Sequence, residues 1–63
     1  MDEADLVRRQ ALRLFLYDIA AVEEWIATPM ALFDGRSPLE HIEHGGYGDV
    51  VDLLGRIEHG VFS

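Results

Sequence analysis

Sixty-three residues, 49% of them hydrophobic and none of them cysteine, allow at most one domain, with neither disulfides nor a thiolate metal site to reinforce its small core. Twelve acidic residues against five arginines give a formal net charge of −7, which argues against a phosphate-neutralising face for nucleic acid and suits a basic partner surface. No apolar run approaches the ~20 residues that span a bilayer, and Met1-Asp2-Glu3-Ala4-Asp5 is acidic where a signal peptide is basic, so the chain reads as soluble, intracellular and reliant on oligomerisation or a partner for stability.

Asp2 or Asp5 is placed to cap a first helix running to about Tyr17, because a short side-chain acceptor satisfies the free N–H groups of a helix start. Leu6, Val7, Ala11, Leu14 and Phe15 form one stripe, and Leu12, Leu16 and Ile19 lie beside it. So wide an apolar arc predicts two covered faces, one against the core and one against another chain, with Leu12 and Leu16 as the candidate dimer face. Asp18 reads as the cap of a second helix, Ile19 to about Ala27, in which Ile19, Val22 and Trp25 or Ile26 recur at helical spacing and Glu23 and Glu24 face water. Thr28-Pro29 ends it, since proline disfavours the helical region for the residue before it.

Met30 to Phe33 then reads as a single apolar turn, and Asp34-Gly35 as a tight turn with Gly35 at positive φ. Ser37-Pro38-Leu39-Glu40 matches a capping box: Ser37 and Glu40 each accept from the other's backbone N–H, and Pro38 takes the first helical position, where its missing donor costs nothing. The third helix is expected to end at Ile42-Glu43-His44-Gly45, and a fourth, from about Gly48 or Asp49, at Ile57-Glu58-His59-Gly60. In both copies of IEHG the His favours the dipole and the Gly supplies the left-handed residue that closes a helix. Val50, Val51, Leu54 and Ile57 mark the buried face of the fourth helix, and Val61-Phe62-Ser63 is left as an apolar tail. The expected fold is all-α, a small bundle of about four short helices without a sheet.

Catalytic chemistry is sparse. His41 and His44 share one short helix with Glu40 and Glu43 nearby, but a closed zinc site needs three or four ligands and would have to borrow His59 or another chain. Asp49 with Asp52, or Glu23 with Glu24, reads as a wet helix face rather than a hydrolytic pair. Gly45, Gly46 and Gly48 lack the lysine and preceding strand of a phosphate loop, and Ser37 and Ser63 have no base beside them. No enzyme, metal or cofactor is expected. Trp25, at the end of an amphipathic helix, reads as the large anchor of a small core rather than an exposed hot spot. Arg36 either pairs on the surface with Asp34 or Glu40 or forks onto a partner's carboxylate or carbonyl.

Along the chain, Trp25, Thr28-Pro29, Leu32, Gly35-Arg36-Ser37-Pro38-Leu39, the glycine at 46, the run Val-Val-Asp-Leu-Leu-Gly-Arg-Ile from 50 to 57 and Gly60-Val61 resemble the toxin-binding domain of Xre/MbcA/ParS-type antitoxins. The resemblance covers about residues 19 to 63. The family pattern has Asn after the first Pro and Gly before the Gly-Arg pair, where this chain has Met30 and Asp34. What the resemblance implies is a cytoplasmic antitoxin of a bacterial type II toxin–antitoxin pair. Its partner would be a RES-domain toxin that consumes NAD or uses it for ADP-ribosylation, and its C-terminal segment would occlude the toxin's active site.

Carried over residue by residue, Gly60, Val61, Phe62 and Ser63 become the blocking segment and Arg36 a further toxin contact, while Trp25, Thr28, Pro29, Leu32, Gly35, Ser37, Pro38 and Glu40 form the structural motif. An acidic chain ending in a carboxylate fits a pocket that accepts an anionic dinucleotide. On this reading residues 1–63 are one toxin-binding domain, with 1–17 an N-terminal amphipathic helix that carries the oligomer face and 19–63 the family-like core. Full antitoxins of this kind carry an operator-binding helix-turn-helix region, whereas one helix precedes the core here, so no direct nucleic-acid binding by this chain is expected. A homo-oligomeric helical adaptor without a toxin is the alternative use of the same apolar surfaces.

Overall fold

Asp2 opens the first helix: its Oδ1 accepts from the N–H of Asp5 at 2.8 Å, which makes Asp2 the cap and leaves Asp5 in the first turn, where its charge favours the dipole. The computed structural model describes residues 2–62, apart from the side chains of Val61 and Phe62. Helix α1 spans Glu3–Leu14 and stops short of the expected Tyr17. Phe15 is its C-cap; the Leu16 N–H donates to the Arg13 carbonyl at 3.3 Å and the Tyr17 N–H to that of Leu12 at 2.7 Å, a Schellman closure. The reason is spatial. Asp18 caps α2 (Ile19–Ile26) by accepting from the Ala21 N–H at 3.1 Å, and Arg8 reaches Glu23 while Leu12 lies beside Ile19, so the helices run antiparallel. Residues 15–17 must reverse the chain and cannot remain helical.

After α2, the Thr28 hydroxyl donates to the Glu24 carbonyl at 2.6 Å, and Ala31–Phe33 forms one turn of 3-10 helix. Asp34 and Gly35 both take positive φ, 57° and 82°, and the loop closes through the Met30 N–H donating to the Arg36 carbonyl at 3.1 Å. The capping box forms as expected. The Glu40 N–H donates to Ser37 Oγ at 3.2 Å, the Ser37 N–H donates to Glu40 Oε1 at 3.1 Å, and Pro38 opens α3 (Pro38–Glu43). Gly45, at φ 87°, closes α3 with its N–H on the Ile42 carbonyl, and the Gly46 N–H bonds that of His41.

Helix α4 spans Tyr47–Phe62, so the second IEHG does not stop a helix. Gly60 stays out of the left-handed region that Gly45 occupies. A helical glycine costs only about 1 kcal/mol relative to alanine, too little to break a long helix where no chain reversal is required. At Gly45 the reversal onto α4 is required, and glycine takes the turn. The expected apolar tail is therefore, for Val61 and Phe62, a continuation of helical backbone, while Ser63 lies outside the described residues.

Val7 and Ala11 of α1, Val22 and Ile26 of α2, Phe33, Ile42 of α3, and Val50 and Leu54 of α4 make the core, with Leu14, Phe15, Trp25 and Val51 packed around it. The fold is all-α: four helices and, among the described residues, no strand beyond the single Met30–Arg36 bridge. Leu6 and Ile57 sit at its rim, half exposed, and Ile19 is 69% exposed although it keeps helical spacing with Val22 and Ile26.

One contact locks α3 to α4. The His41 imidazole stacks on Phe33 with centroids 4.5 Å apart and planes 14° from parallel, and its Nε2 lies 2.9 Å from Asp49 Oδ2. Gly46 backs this ring so closely that a Cβ there would collide with His41 Cδ2 and Nε2. The two glycines thus serve different ends, Gly45 a backbone conformation and Gly46 a close approach. Ser37→Ala removes one orphan-donor partner at a buried cap and is expected to lower stability by about 1 kcal/mol, read from urea unfolding of the helical circular dichroism. Gly46→Ala is expected to cost about 1–3 kcal/mol by overpacking and to abolish the ring-current shift that Phe33 imposes on the His41 ring protons in NMR spectra.

Candidate functional site

The described residues hold no nucleophile paired with a base and no group of three metal-ligating side chains. His41 turns inward against Phe33, whereas His44, at the C-cap of α3, is exposed. What the fold offers is surface.

The first surface lies between the 3-10 turn and α4. A groove of about 340 Å³ has Phe33 and His41 as its floor, Leu32, Asp34 and Leu53 on its edges, and Asp49, Asp52 and Arg56 along α4. The turn thrusts Leu32 outward, 61% exposed, while Phe33 next to it is buried. Three carboxylates and one guanidinium beside an exposed leucine suit a partner that brings both a basic and an apolar group. Arg56 is one helical turn, about 6 Å of rise, before Gly60, so the groove leads along α4 toward the expected blocking segment. The backbone of Gly60, Val61 and Phe62 continues that helix; the side chains of Val61 and Phe62, and Ser63 entirely, lie outside the described residues.

Arg36 is half-buried and held through its backbone, its N–H donating to the Phe33 carbonyl at 3.0 Å. Neither Asp34 nor Glu40 pairs with it among the described residues. Trp25 is half-buried against the core and meets Phe15 with centroids 5.9 Å apart at 49°, leaving one side on a shallow depression shared with Met30 and Thr28. Thr28, Gly35, Ser37, Pro38 and Glu40 shape the loop and the start of α3, while Leu32 projects outward from it.

The second surface is the α1–α2 corner. Leu16 is 87% exposed, Tyr17 and Ile19 69% each, and Leu12 is half-buried beside Ile19 in a shallow cleft between the helices. Arg8 bridges that cleft to Glu23 at 3.0 Å and reaches Asp5 at 3.5 Å; the Glu23 hydrogen bond raises the guanidinium further above its ordinary value. Sequence reading placed Leu12 and Leu16 on one apolar face but missed that Leu16 and Tyr17 leave the helix. The available signal was Asp18: a cap there leaves no room for a reversal unless the first helix stops early. The His41–Asp49 contact was also missed, and the second glycine after Ile42-Glu43-His44 was its signal, since one suffices to close a helix.

With this geometry in hand, the comparisons with known proteins align along most of the chain. The family model described as the antitoxin Xre/MbcA/ParS C-terminal toxin-binding domain matches residues 10–60. A protein named Antitoxin Xre, from Yersinia enterocolitica serotype O:8 / biotype 1B (strain NCTC 13174 / 8081), is 43% identical over 54 residues, which are 84% of this chain and 36% of that protein. The chain thus spans little more than a third of that relative's length. No solved structure matches it. With four helices, an acidic groove and a family match running from α1 to Gly60, the chain belongs to the Xre/MbcA/ParS family of antitoxin toxin-binding domains.

Proposed function

We propose that this chain is the toxin-binding element of a cytoplasmic type II antitoxin, that it works within a homo-oligomer, and that it neutralises a RES-domain, NAD-using toxin by occluding its active site with residues 60–63. The observation that carries this reading is α4. The helix is rooted in the core by Val50 and Leu54 and continues in backbone through Gly60 to Phe62, so the segment proposed to block the toxin starts from an ordered stem. A stem whose backbone is already helical avoids part of the ordering cost of binding, roughly 1–2 kcal/mol for each backbone residue fixed in advance.

Charge supports the same direction of approach. A site for an anionic dinucleotide is basic, and the acidic edge formed by Asp34, Asp49 and Asp52 runs beside the helix that carries the tail. In this arrangement the groove seats on the rim of the toxin's pocket while the tail enters it. Arg36, without a partner carboxylate among the described residues, is available to fork onto a toxin carbonyl or carboxylate. The chain contributes no catalytic group to this mechanism; it acts by excluding substrate.

A chain ending at Gly60 is expected to keep its helical circular dichroism and lose inhibition of NAD consumption by a cognate RES toxin. Phe62→Ala alone is expected to weaken inhibition by about tenfold or more, the usual scale for a buried aromatic anchor. Full protection by the shortened chain overturns the occlusion mechanism.

A further inference from the structure

The groove between the 3-10 turn and α4 combines an apolar edge with an unbalanced charge. Leu32 stands 61% exposed on the turn and Leu53 is half-buried on α4. With them lie Asp34, Asp49 and Asp52 against one guanidinium, that of Arg56. Asp52 and Arg56 are four residues apart on one helix, the spacing at which opposite charges pair, yet they form no ion pair among the described residues. The chain does pair its charges elsewhere, since Arg8 takes both Asp5 and Glu23. Asp34 and Asp52 are thus exposed carboxylates without a cation, and Asp49 has only His41, at 2.9 Å.

We infer that this groove seats an arginine of the partner, carried beside an apolar side chain that covers Leu32 and Leu53. A metal ion is the wrong occupant, because it needs several ligands converging on one point and the described residues hold no such group of three. A purely apolar segment would leave the carboxylates to lose water without a counter-charge. Arginine meets both demands: its planar fork can bridge two carboxylates, and its aliphatic stem can lie along a leucine. The order of charges also sets a direction. From Asp49 through Asp52 to Arg56 the helix rises about 10 Å, so the cation lies toward Asp34 and Asp49, and Arg56 keeps it from the end that leads to Gly60. His41 makes the seat rigid. Its ring is stacked on Phe33, backed by Gly46 and set against Oδ2 of Asp49, which leaves the other oxygen of that carboxylate for the partner. The partner's identity rests on the toxin proposed above; the seat itself does not.

NMR titration of the isotope-labelled whole chain with acetyl-Leu-Arg-amide, at low ionic strength, tests the seat without a toxin. The peptide is expected to move the amides of Leu32, Asp34, Asp49 and Asp52 together and saturably. It is expected to bind about fivefold more tightly than its neutral isostere, in which citrulline replaces arginine. Asp52→Asn, at an exposed carboxylate without a partner in the chain, is expected to weaken binding about threefold and to keep the helical circular dichroism. Arg56→Gln is expected to tighten it. Glu43→Gln removes the same charge from an exposed position on α3 outside the groove, and is expected to leave binding unchanged. Equal binding of the two peptides, shifts scattered over the surface, or equal losses in Asp52→Asn and Glu43→Gln overturn the inference. With a cognate RES toxin, Asp52→Asn is expected to raise Kd about tenfold while inhibition at saturation stays complete, because residues 60–63 are intact. A toxin held equally well by Asp52→Asn and the wild type overturns the seat and leaves the occlusion standing. A peptide that seats as expected in a chain that inhibits no RES toxin supports the seat and refutes only the toxin reading.

Discussion

A helix of six residues is too short to persist on its own hydrogen bonds, and α3 stands because both of its ends are closed by side-chain and backbone chemistry. Ser37 and Glu40 satisfy each other's orphan donors at the start, and Gly45 takes the left-handed turn at the finish. Everything after α3 inherits this. The short helix carries Ile42 into the core and His41 into the niche between Phe33 and Gly46, and His41 in turn meets Asp49 in the first turn of α4. The direction of α4 follows from where α3 is pinned and from the packing of Val50 and Leu54 in the core that α1 shares.

That dependence explains which parts of the fold are legible in the residues alone. Three helix starts are written in local chemistry: Asp18 and Ser37 are readable as caps without tertiary information and Asp2 as one of two candidates with Asp5, whereas α4 begins at Tyr47, ahead of the expected Gly48 or Asp49. Helix stops are not. Ile-Glu-His-Gly occurs twice and ends a helix once, because a stop is enforced by the need to reverse the chain against a neighbour rather than by the tetrapeptide. Tyr17 fails as an end point for the same reason, since packing α2 on α1 demands three residues that local propensity would have left helical. At the candidate site, the scaffold residues of the loop were legible as turn and cap chemistry. Arg36 was readable either as a surface partner of Asp34 or Glu40 or as a fork for a partner's carboxylate or carbonyl, and among the described residues it pairs with neither carboxylate.

The charge of the chain is also less uniform than its total suggests. A net charge of −7 describes an acidic protein, yet Arg8, Arg9 and Arg13 lie together on α1, while Asp34, Asp49 and Asp52 border the groove beside α4. The two regions are lined by different residues. Total charge governs long-range encounter with a basic partner, but the sign at each surface decides what can dock there.

Backbone strain is distributed unevenly over the five described positions at positive φ. Asp34 lies at φ 57° and lets the loop close back onto Met30, so its cost is offset within the chain. Gly35 and Gly45 carry positive φ without a Cβ and need no offset. Leu16 and Tyr17 differ from both: their N–H groups satisfy the last carbonyls of α1 and so offset part of the cost, but glycine would make the same closure without it, and their side chains gain little because both stay exposed.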